Sequence, residues 1–269
     1  MTRIESAIAR LSSLDDLASR DSPVHRLDAR VKVLVTAVFV GVVASFARGE
    51  VSRPLPLILF PVLLATLGQV PAVAIVGRVA LAAPFAVMVG LFEPFLDRTV
   101  VGYLGAFPVT GGEAAFASIL IKYSLCLSAA LTLVATTGFD AVCGALGRFG
   151  LPRALVNQLS FTYRYLFVLA DEAVRMVRAH ALRSPDRPQP ALRVAGSLLG
   201  LLLLRTLDRA RRVHAAMLCR GFDGELRRLE RARLRGRDVA FAAIWCGFFA
   251  LARAHDLPRM VGALVTSGG

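Results

Sequence analysis

The sequence predicts an all-α, polytopic membrane protein with about five transmembrane helices and two long cytoplasmic helices. Of its 269 residues, 56% are hydrophobic, and the mean hydropathy is +0.61. Soluble domains are usually about 45–50% apolar, so the excess indicates lipid exposure. Aromatic residues make up only 8% of the chain. The apolar side chains are therefore mostly Ala, Leu and Val, which favour helices over strands.

The distribution of charge gives the second indication. The net charge is +13, and residues 138–238 hold 19 of the 32 basic and 9 of the 19 acidic residues. A soluble protein with this balance would suggest nucleic-acid binding. Here the basic block lies beside long apolar runs, which marks a cytoplasmic face in contact with the lipid bilayer. The charge pattern therefore predicts membrane topology and no nucleic-acid partner.

Five apolar segments are long enough to be considered as membrane spans. They run from about Val31 to Phe46, Leu55 to Gly68, Ala72 to Phe92, Ala114 to Thr136 and Val239 to Ala254. Several are near the short end of the roughly 20 residues that a span needs. Four spans place the basic N-terminal tail and the basic block on one side, which the positive-inside rule makes cytoplasmic. We therefore expect a multi-pass protein of the bacterial inner (plasma) membrane with a cytoplasmic N-terminus.

Four regions follow from this topology. They are a cytoplasmic N-terminal segment at 1–30, four transmembrane helices within 31–136, a cytoplasmic long-helix domain at 137–238, and a final span with the C-terminus at 239–269. The segment between Glu93 and Glu113 is expected to be a loop. The N-terminal segment contains no apolar core, so no cleavable signal peptide is expected.

The cytoplasmic domain contains two predicted helices of unusual length. A short helix from Asp140 to Arg148 is followed by Gly150 and Pro152, which are typical of a helix end and a helix start. The long helices then run from about Pro152 to Arg183 and from about Ala191 to Arg220, separated by a proline-rich break. Each would be about 45 Å long, too long for a simple connection, so the domain is interpreted as a docking platform.

The two long helices carry the same stripe of residues near their C-terminal ends. The first copy consists of Asp171, Arg175, Ala179 and Arg183, and the second of Asp208, Arg212, Ala216 and Arg220. The offset is 37 residues at every position, and the four-residue spacing puts each copy on one helix face. One interpretation is a solvated face with i,i+4 Asp–Arg pairs. The other is that two equivalent helix ends meet two equivalent sites, such as those of two similar ATPase subunits.

The chain lacks the motifs of an energy-converting enzyme. Its two lysines, Lys32 and Lys122, are not in a phosphate-binding loop. The four histidines and four cysteines show no metal-ligand spacing, and no nucleophile–base constellation is present. We therefore expect a non-enzymatic subunit without a cofactor or metal site of its own.

Three groups of residues carry a resemblance to a known family. They are the sequence SPVHRLDARVK at 22–32, the sequence LGRFGLP at 146–152, and the two helix-terminal arginine motifs. With these residues the chain resembles the transmembrane (T) component of energy-coupling factor importers, of the CbiQ type found in cobalt transport. The family motif is a twice-occurring Ala-Arg-Gly. Here the copies are Leu182-Arg183-Ser184 and Cys219-Arg220-Gly221, so the first departs at both flanks and the second at one.

The resemblance implies an L-shaped helical protein with coupling helices on the cytoplasmic side. Their ends would insert into grooves of two ATP-binding ATPase subunits, with Arg183 and Arg220 as the contacts. The membrane part would hold a substrate-capture subunit similar to CbiM, which carries the metal ligands itself, and possibly a small CbiN-like subunit. Cobalt is the implied substrate, although nickel and vitamin importers share this subunit type.

Three other functions remain open from the sequence. A membrane enzyme acting on a lipid or isoprenoid would need polar residues within the membrane, for which Arg78 and Lys122 are the clear basic candidates. A scaffold would recruit a partner without moving. A secondary transporter would be expected to show repeats among its spans, whereas the only repeat found lies in the cytoplasmic block.

Overall fold

The computed structural model describes residues 17–18, 20, 22–47, 49–96, 100–104, 107–183, 191–224 and 234–255. The elements in chain order are α1 (Ala29–Ala44), a 3-10 turn (Leu55–Ile58), α2 (Leu59–Leu67), α3 (Ala72–Gly90), α4 (Glu93–Leu96), β1 (Val100–Leu104), β2 (Phe107–Thr110), α5 (Gly111–Thr137), α6 (Phe139–Arg148), α7 (Arg153–Arg183), α8 (Ala191–Cys219) and α9 (Gly236–Ala254). They form two compact units. The membrane unit contains Leu17–Gly138 and the chain from Ala232 onwards, and the long-helix unit contains Phe139–Arg231.

The membrane unit is built on a cluster of aromatic side chains. Phe39 of α1 packs on Phe60 of α2 with ring centroids 4.7 Å apart, and Phe60 also contacts Trp245 and Phe249 of α9 at 4.8 and 5.2 Å. Phe39, Phe60 and Phe249 are almost fully buried. Aromatic pairs in such tilted and edge-on arrangements add to the free energy of burial, so this cluster joins the first, second and last of the predicted spans.

The outer surface of the membrane unit is apolar. On α3, the side chains of Val73, Leu81 and Phe85 are 83%, 73% and 71% exposed. A soluble protein rarely exposes a contiguous apolar surface of this kind. Among the described helices, α3 and α5 are each long and apolar enough to cross a bilayer, and Leu55–Leu67 is a shorter apolar segment. The predicted all-α membrane protein is confirmed, and a helix is present at each of the five predicted spans.

Helix starts differ from the predicted ones by three residues at two places. α5 begins at Gly111 instead of Ala114 because Thr110 and Glu113 form a capping box, in which the Glu113 carboxylate accepts the N–H of Thr110 at 3.1 Å. α9 begins at Gly236 instead of Val239 because the carboxylate of Asp238 accepts the N–H of Arg235 at 2.7 Å. Such caps extend a helix beyond its apolar residues.

The segment expected to be a loop between Glu93 and Glu113 is more regular than predicted. It contains the short helix α4 and a β-hairpin in which β1 and β2 pair antiparallel, with Leu104 opposite Phe107. The hairpin is the only strand pairing among the described residues. The hairpin contains Val, Tyr and Phe, which are typical of strands. It is short and lies between two long apolar helices, so the sequence pattern around it is mainly helical.

In the long-helix unit, α6 ends as the sequence predicts. Gly150 has a φ of 100°, a left-handed conformation that suits glycine, and Leu151 N–H donates to the carbonyl of Leu146. Phe139 at the start of α6 stacks on Tyr163 of α7 with ring centroids 4.4 Å apart. α7 then contains 31 residues and α8 contains 29.

Candidate coupling site on the two long helices

The two long helices pack against each other in antiparallel orientation. In their middle, Arg205 of α8 donates to the carboxylate of Glu172 of α7 at 2.6 Å. Near the start of α7, Asn157 donates to the carbonyl of Gly224, five residues beyond the end of α8, also at 2.6 Å. The start of α7 therefore lies beside the end of α8, which makes the two helices antiparallel.

An open apolar groove of about 490 Å³ runs between the helices on one side of this bridge. Its lining includes Phe161, Tyr165 and Leu166 of α7 and Ala210, Val213 and Met217 of α8. These residues follow the three-to-four spacing of one helix face. The two helices thus contact each other through polar residues at the bridge and through apolar residues along the groove.

Glu172 is the electrostatic centre of the bridge. Besides the bond from Arg205, its carboxylate accepts a hydrogen bond from Arg175 at 2.8 Å. Hydrogen bonds from Arg175 and Arg205 lower the pKa of Glu172 below its usual value. The sequence suggested Asp171 as the i,i+4 partner of Arg175, whereas the structure gives Arg175 a partner three residues away. The sequence contained no signal for the Arg205 contact.

The predicted helix-end residues are accessible. Leu182 is 83% exposed, and Arg183, Cys219, Arg220 and Gly221 are also exposed. Ser184 lies outside the described residues. Of the supporting stripe, Ala179 is half-buried, and the exposed members are Asp171, Arg175, Asp208, Arg212 and Ala216. Both Arg183 and Arg220 are therefore solvent-exposed in the described part of the chain.

The antiparallel packing separates the two arginine ends instead of bringing them together. Arg183 lies 11 residues beyond Glu172 on α7, and Arg220 lies 15 residues beyond Arg205 on α8. At a rise of 1.5 Å per residue, these distances are about 16 and 22 Å, in opposite directions from the bridge. The two arginines thus lie at the two opposite ends of one helix pair.

The repeat and the antiparallel packing together give the pair approximate two-fold symmetry. Each copy of the stripe runs in the same order along its own helix, so a half-turn about an axis near the Glu172–Arg205 bridge exchanges Arg183 with Arg220 and Asp171 with Asp208. Closed two-fold arrangements are the commonest in protein dimers. The two arginine ends are therefore related to each other by this approximate half-turn.

Backbone hydrogen bonds fix the position of Arg220. Phe222 N–H donates to the carbonyl of Met217 and Gly221 N–H to that of Leu218, both at 3.0 Å, and Gly221 has a φ of 78°. This is the Schellman arrangement, which ends a helix at a left-handed glycine. Arg220 is the residue between the last helical turn and this glycine, so it lies exposed at the end of α8.

The sequence analysis missed a buried polar cluster in the membrane unit. The ammonium group of Lys32 donates to the carbonyl of Thr136 at 2.9 Å, and the backbone N–H of Asp28 donates to the carboxylate of Asp238 at 3.0 Å. From the sequence, Lys32 is excluded as a phosphate ligand and is one of the basic residues near the N-terminus. Its partners are more than a hundred residues away in the sequence, so no local pattern indicated them.

The basic residues considered for a membrane enzyme have structural partners. Lys122 donates to the carbonyls of Phe46 and Ala47 at 2.8 and 3.1 Å, just beyond the end of α1. Arg78 donates to the carbonyl of Ala74, one turn earlier in its own helix, at 2.9 Å. Across the described part of the chain, no group of three or more His, Cys, Asp or Glu side chains is arranged to hold a metal ion.

Comparison with known proteins identifies a transport family. The CbiQ family model, described as a cobalt transport protein, matches residues 20–230. An uncharacterized protein of Methanocaldococcus jannaschii is 26% identical over 231 residues, covering 81% of this chain and 77% of that protein. The cobalt transport protein CbiQ of Rhodobacter capsulatus is 33% identical over 117 residues, covering 43% of this chain and 48% of that protein.

A nickel transporter is also similar. The nickel permease LarQ of Lactiplantibacillus plantarum is 30% identical over 118 residues, covering 44% of this chain and 43% of the permease. This chain thus spans about half the length of the named cobalt and nickel transport proteins. The family model covers most of the chain, including all of α1 to α8. The protein is therefore a membrane transport protein that belongs to the CbiQ family of cobalt transport proteins.

Proposed function

We propose that this chain is the transmembrane coupling subunit of an energy-coupling factor importer for cobalt ions. The observation that carries the proposal is the antiparallel helix pair with an exposed arginine, Arg183 or Arg220, at each of its ends. A nucleotide-driven dimer of ATPase subunits would present two equivalent grooves to these two ends. The chain itself carries no catalytic role in this proposal.

The proposed mechanism is mechanical. ATP closes the ATPase dimer and moves its two grooves towards each other. Each arginine follows its groove because a planar guanidinium binds an acidic partner through two parallel hydrogen bonds and stays charged when it is buried. The Glu172–Arg205 bridge acts as the pivot between α7 and α8, and their motion reorients a membrane subunit, similar to CbiM, that has captured the substrate.

The proposed orientation places both long helices in the bacterial cytoplasm. The basic residues of 138–238 support it, because cytoplasmic segments retain Lys and Arg. With four spans before this block, the N-terminus lies on the same side, in the inner membrane. A CbiN-like small subunit is a further possible partner of the membrane unit.

Nickel is a second candidate substrate. The similarity to LarQ, a nickel permease, favours it. Because the proposed capture subunit holds the metal, the two candidates are distinguished by assaying the complete complex: cobalt and nickel uptake are compared in cells that contain this chain with each type of capture subunit. Uptake of only one metal, whichever capture subunit is present, would assign the choice to this chain.

The coupling proposal is tested by reversing the charge at each helix end. Losing one partner of a buried Arg–carboxylate pair costs about 3–5 kcal/mol, which is more than about a hundredfold in affinity. We therefore expect Arg183→Glu and Arg220→Glu each to weaken co-purification of the ATPase subunits and to abolish metal uptake.

The matched control is Arg211→Glu. Arg211 is exposed on α8 nine residues before Arg220, which places it on the opposite helix face at 3.6 residues per turn. This variant makes the same charge change and should retain ATPase association and uptake. Normal uptake by both helix-end variants would contradict the coupling function.

A further inference from the structure

The buried polar cluster lies within the membrane unit and involves the residues that flank the long-helix unit in the sequence. The chain leaves the membrane unit after Gly138 and re-enters it at Ala232. Lys32 holds the carbonyl of Thr136, two residues before the exit. Asp238, six residues after the re-entry, accepts the N–H of Asp28 at 3.0 Å. Both crossings of the chain are therefore bonded to the first turn of one helix, α1.

Burial and charge make this cluster a tight one. Asp28, Lys32 and Asp238 are 9%, 4% and 3% exposed. A second cation, Arg30, lies 4.0 Å from the carboxylate of Asp28, so two carboxylates face two cations. Buried charges are tolerated only when they are paired and hydrogen-bonded. The charge of Lys32 is attracted by both carboxylates, so removing Lys32 leaves the buried carboxylates of Asp28 and Asp238 poorly compensated.

The cluster also determines where two helices begin. The side chain of Asp28 accepts the N–H of Arg30 and caps α1, while that of Asp238 accepts the N–H of Arg235 and caps α9. Lys32 binds the C-terminal end of α5, where unpaired carbonyls attract a cation. The start of α1, the start of α9 and the end of α5 are thus held at one point.

We propose that Asp28, Lys32 and Asp238 are the anchor through which movement of α7 and α8 reaches the membrane helices. The inference rests on the proposed coupling function. The long-helix unit is joined covalently to the membrane unit after α5 and before α9. Because both joints are held to α1, a displacement of the long helices acts on α1, α5 and α9 together. The three residues position these helices and touch no substrate.

Lys122 provides a matched control within the same pair of helices. It extends from α5 to the carbonyls of Phe46 and Ala47 beyond the end of α1, whereas Lys32 extends from α1 to the end of α5. Each lysine thus satisfies carbonyls at the end of the other helix. Only Lys32 binds a residue next to the start of the long-helix unit. The two lysines therefore make the same kind of hydrogen bond, but only Lys32 is expected to affect coupling.

The experiment compares metal import with ATP hydrolysis in vesicles that contain the full complex of this chain, the ATPase subunits and the capture subunit. We expect Lys32→Met to retain ATPase association and hydrolysis while the cobalt imported per ATP falls about tenfold, within the range of typical coupling free energies. Lys32→Arg, which keeps the cation, should restore most of this ratio. Lys122→Met should keep the wild-type ratio even if it lowers thermal stability.

An unchanged ratio in Lys32→Met, or an equal loss in Lys122→Met, would overturn the anchor. If the complex with Lys32→Met does not assemble, Asp238→Asn replaces it, because Asn keeps the size of the side chain but cannot accept hydrogen bonds from both N–H groups. A reduced amount of cobalt imported per ATP in this variant would support the anchor, and a wild-type amount would overturn it. Failure of the proposed function is distinguishable, because the wild-type complex itself would then show no ATP-driven import.

Discussion

Glu172 links the two long helices near their middle, and this role depends on its charge. Arg175 and Arg205 both donate to it, at 2.8 and 2.6 Å. All three side chains are partly exposed, so solvent and salt weaken the interaction. The bridge therefore contributes more to the register of the helix pair than to overall stability.

The lowered pKa of Glu172 gives a prediction for stability against pH. Because the pKa in the folded protein lies below the ordinary value of 4.5, the carboxylate stabilises the fold at neutral pH. This contribution is lost as the pH falls from 4.5 through the folded pKa. We expect Glu172→Gln to lower the thermal unfolding midpoint slightly at pH 7, and the difference from wild type to shrink below pH 4.5.

The control for this prediction is Asp171→Asn, at the exposed carboxylate one residue earlier. It removes the same charge from α7 but leaves both arginine bonds to Glu172 in place, so its effect at neutral pH should be smaller. Equal midpoints for Glu172→Gln and wild type at neutral pH would show that the bridge does not stabilise the pair.

At the scale of elements, the turn between α2 and α3 approaches the end of α5 closely. Gly68 is buried, and a Cβ atom at this position would lie 2.6 Å from the methyl group of Thr136. Thr136 is itself almost fully buried and also supplies the carbonyl that Lys32 binds. The turn can therefore reach this end of α5 only with a glycine at residue 68.

We expect Gly68→Ala to destabilise the membrane unit by about 1–3 kcal/mol, the usual cost of overpacking. The control is Gly77→Ala on the exposed face of α3, where nothing lies within 4 Å and where alanine favours the helix by up to about 1 kcal/mol. Thermal unfolding of both variants in detergent measures the difference. A midpoint for Gly68→Ala at or above that of wild type would contradict the close approach.

The sequence was informative about elements wherever the signal is local. The end of α7 at Arg183 and the glycine that terminates α8 follow from composition and turn residues, while the predicted break at 184–190 lies outside the described residues. The starts of α5 and α9 were missed by three residues because apolar periodicity was followed instead of capping residues such as Thr110 and Glu113. The Lys32–Thr136 and Glu172–Arg205 contacts join residues far apart in sequence, so only the tertiary structure places them.

At the scale of the whole molecule, the 37-residue repeat and the antiparallel packing have to be considered together. The repeat alone is compatible with a solvated face, and an antiparallel pair alone is common in helical proteins. Together they place two copies of one surface at opposite ends of a symmetric pair. The proposed docking would therefore need an equivalent pair of sites on the partner.

A labelling experiment tests whether each of the two helix ends is docked. Cys219 is exposed beside Arg220, Cys126 and Cys246 are half-buried, and Cys143 is buried. A membrane-impermeant maleimide should therefore label Cys219 first, and only from the cytoplasmic side. The residue 37 positions earlier is Leu182, which is 83% exposed beside Arg183. Leu182→Cys in a Cys219→Ala background moves the same probe to the other helix end.

Because each cysteine is next to an arginine of the proposed site, binding of the ATPase subunits should protect both positions from the maleimide. Arg183→Glu should restore labelling at residue 182, and Arg220→Glu should restore labelling at Cys219. Protection of Cys219 in one complex and of Leu182→Cys in the other would support two docking points on a two-fold partner. Protection of Cys219 alone would mean that a single end is bound, and the departure of Leu182-Arg183-Ser184 from the family motif would then have a functional consequence. Equal labelling with and without ATPase subunits at both ends would contradict docking there.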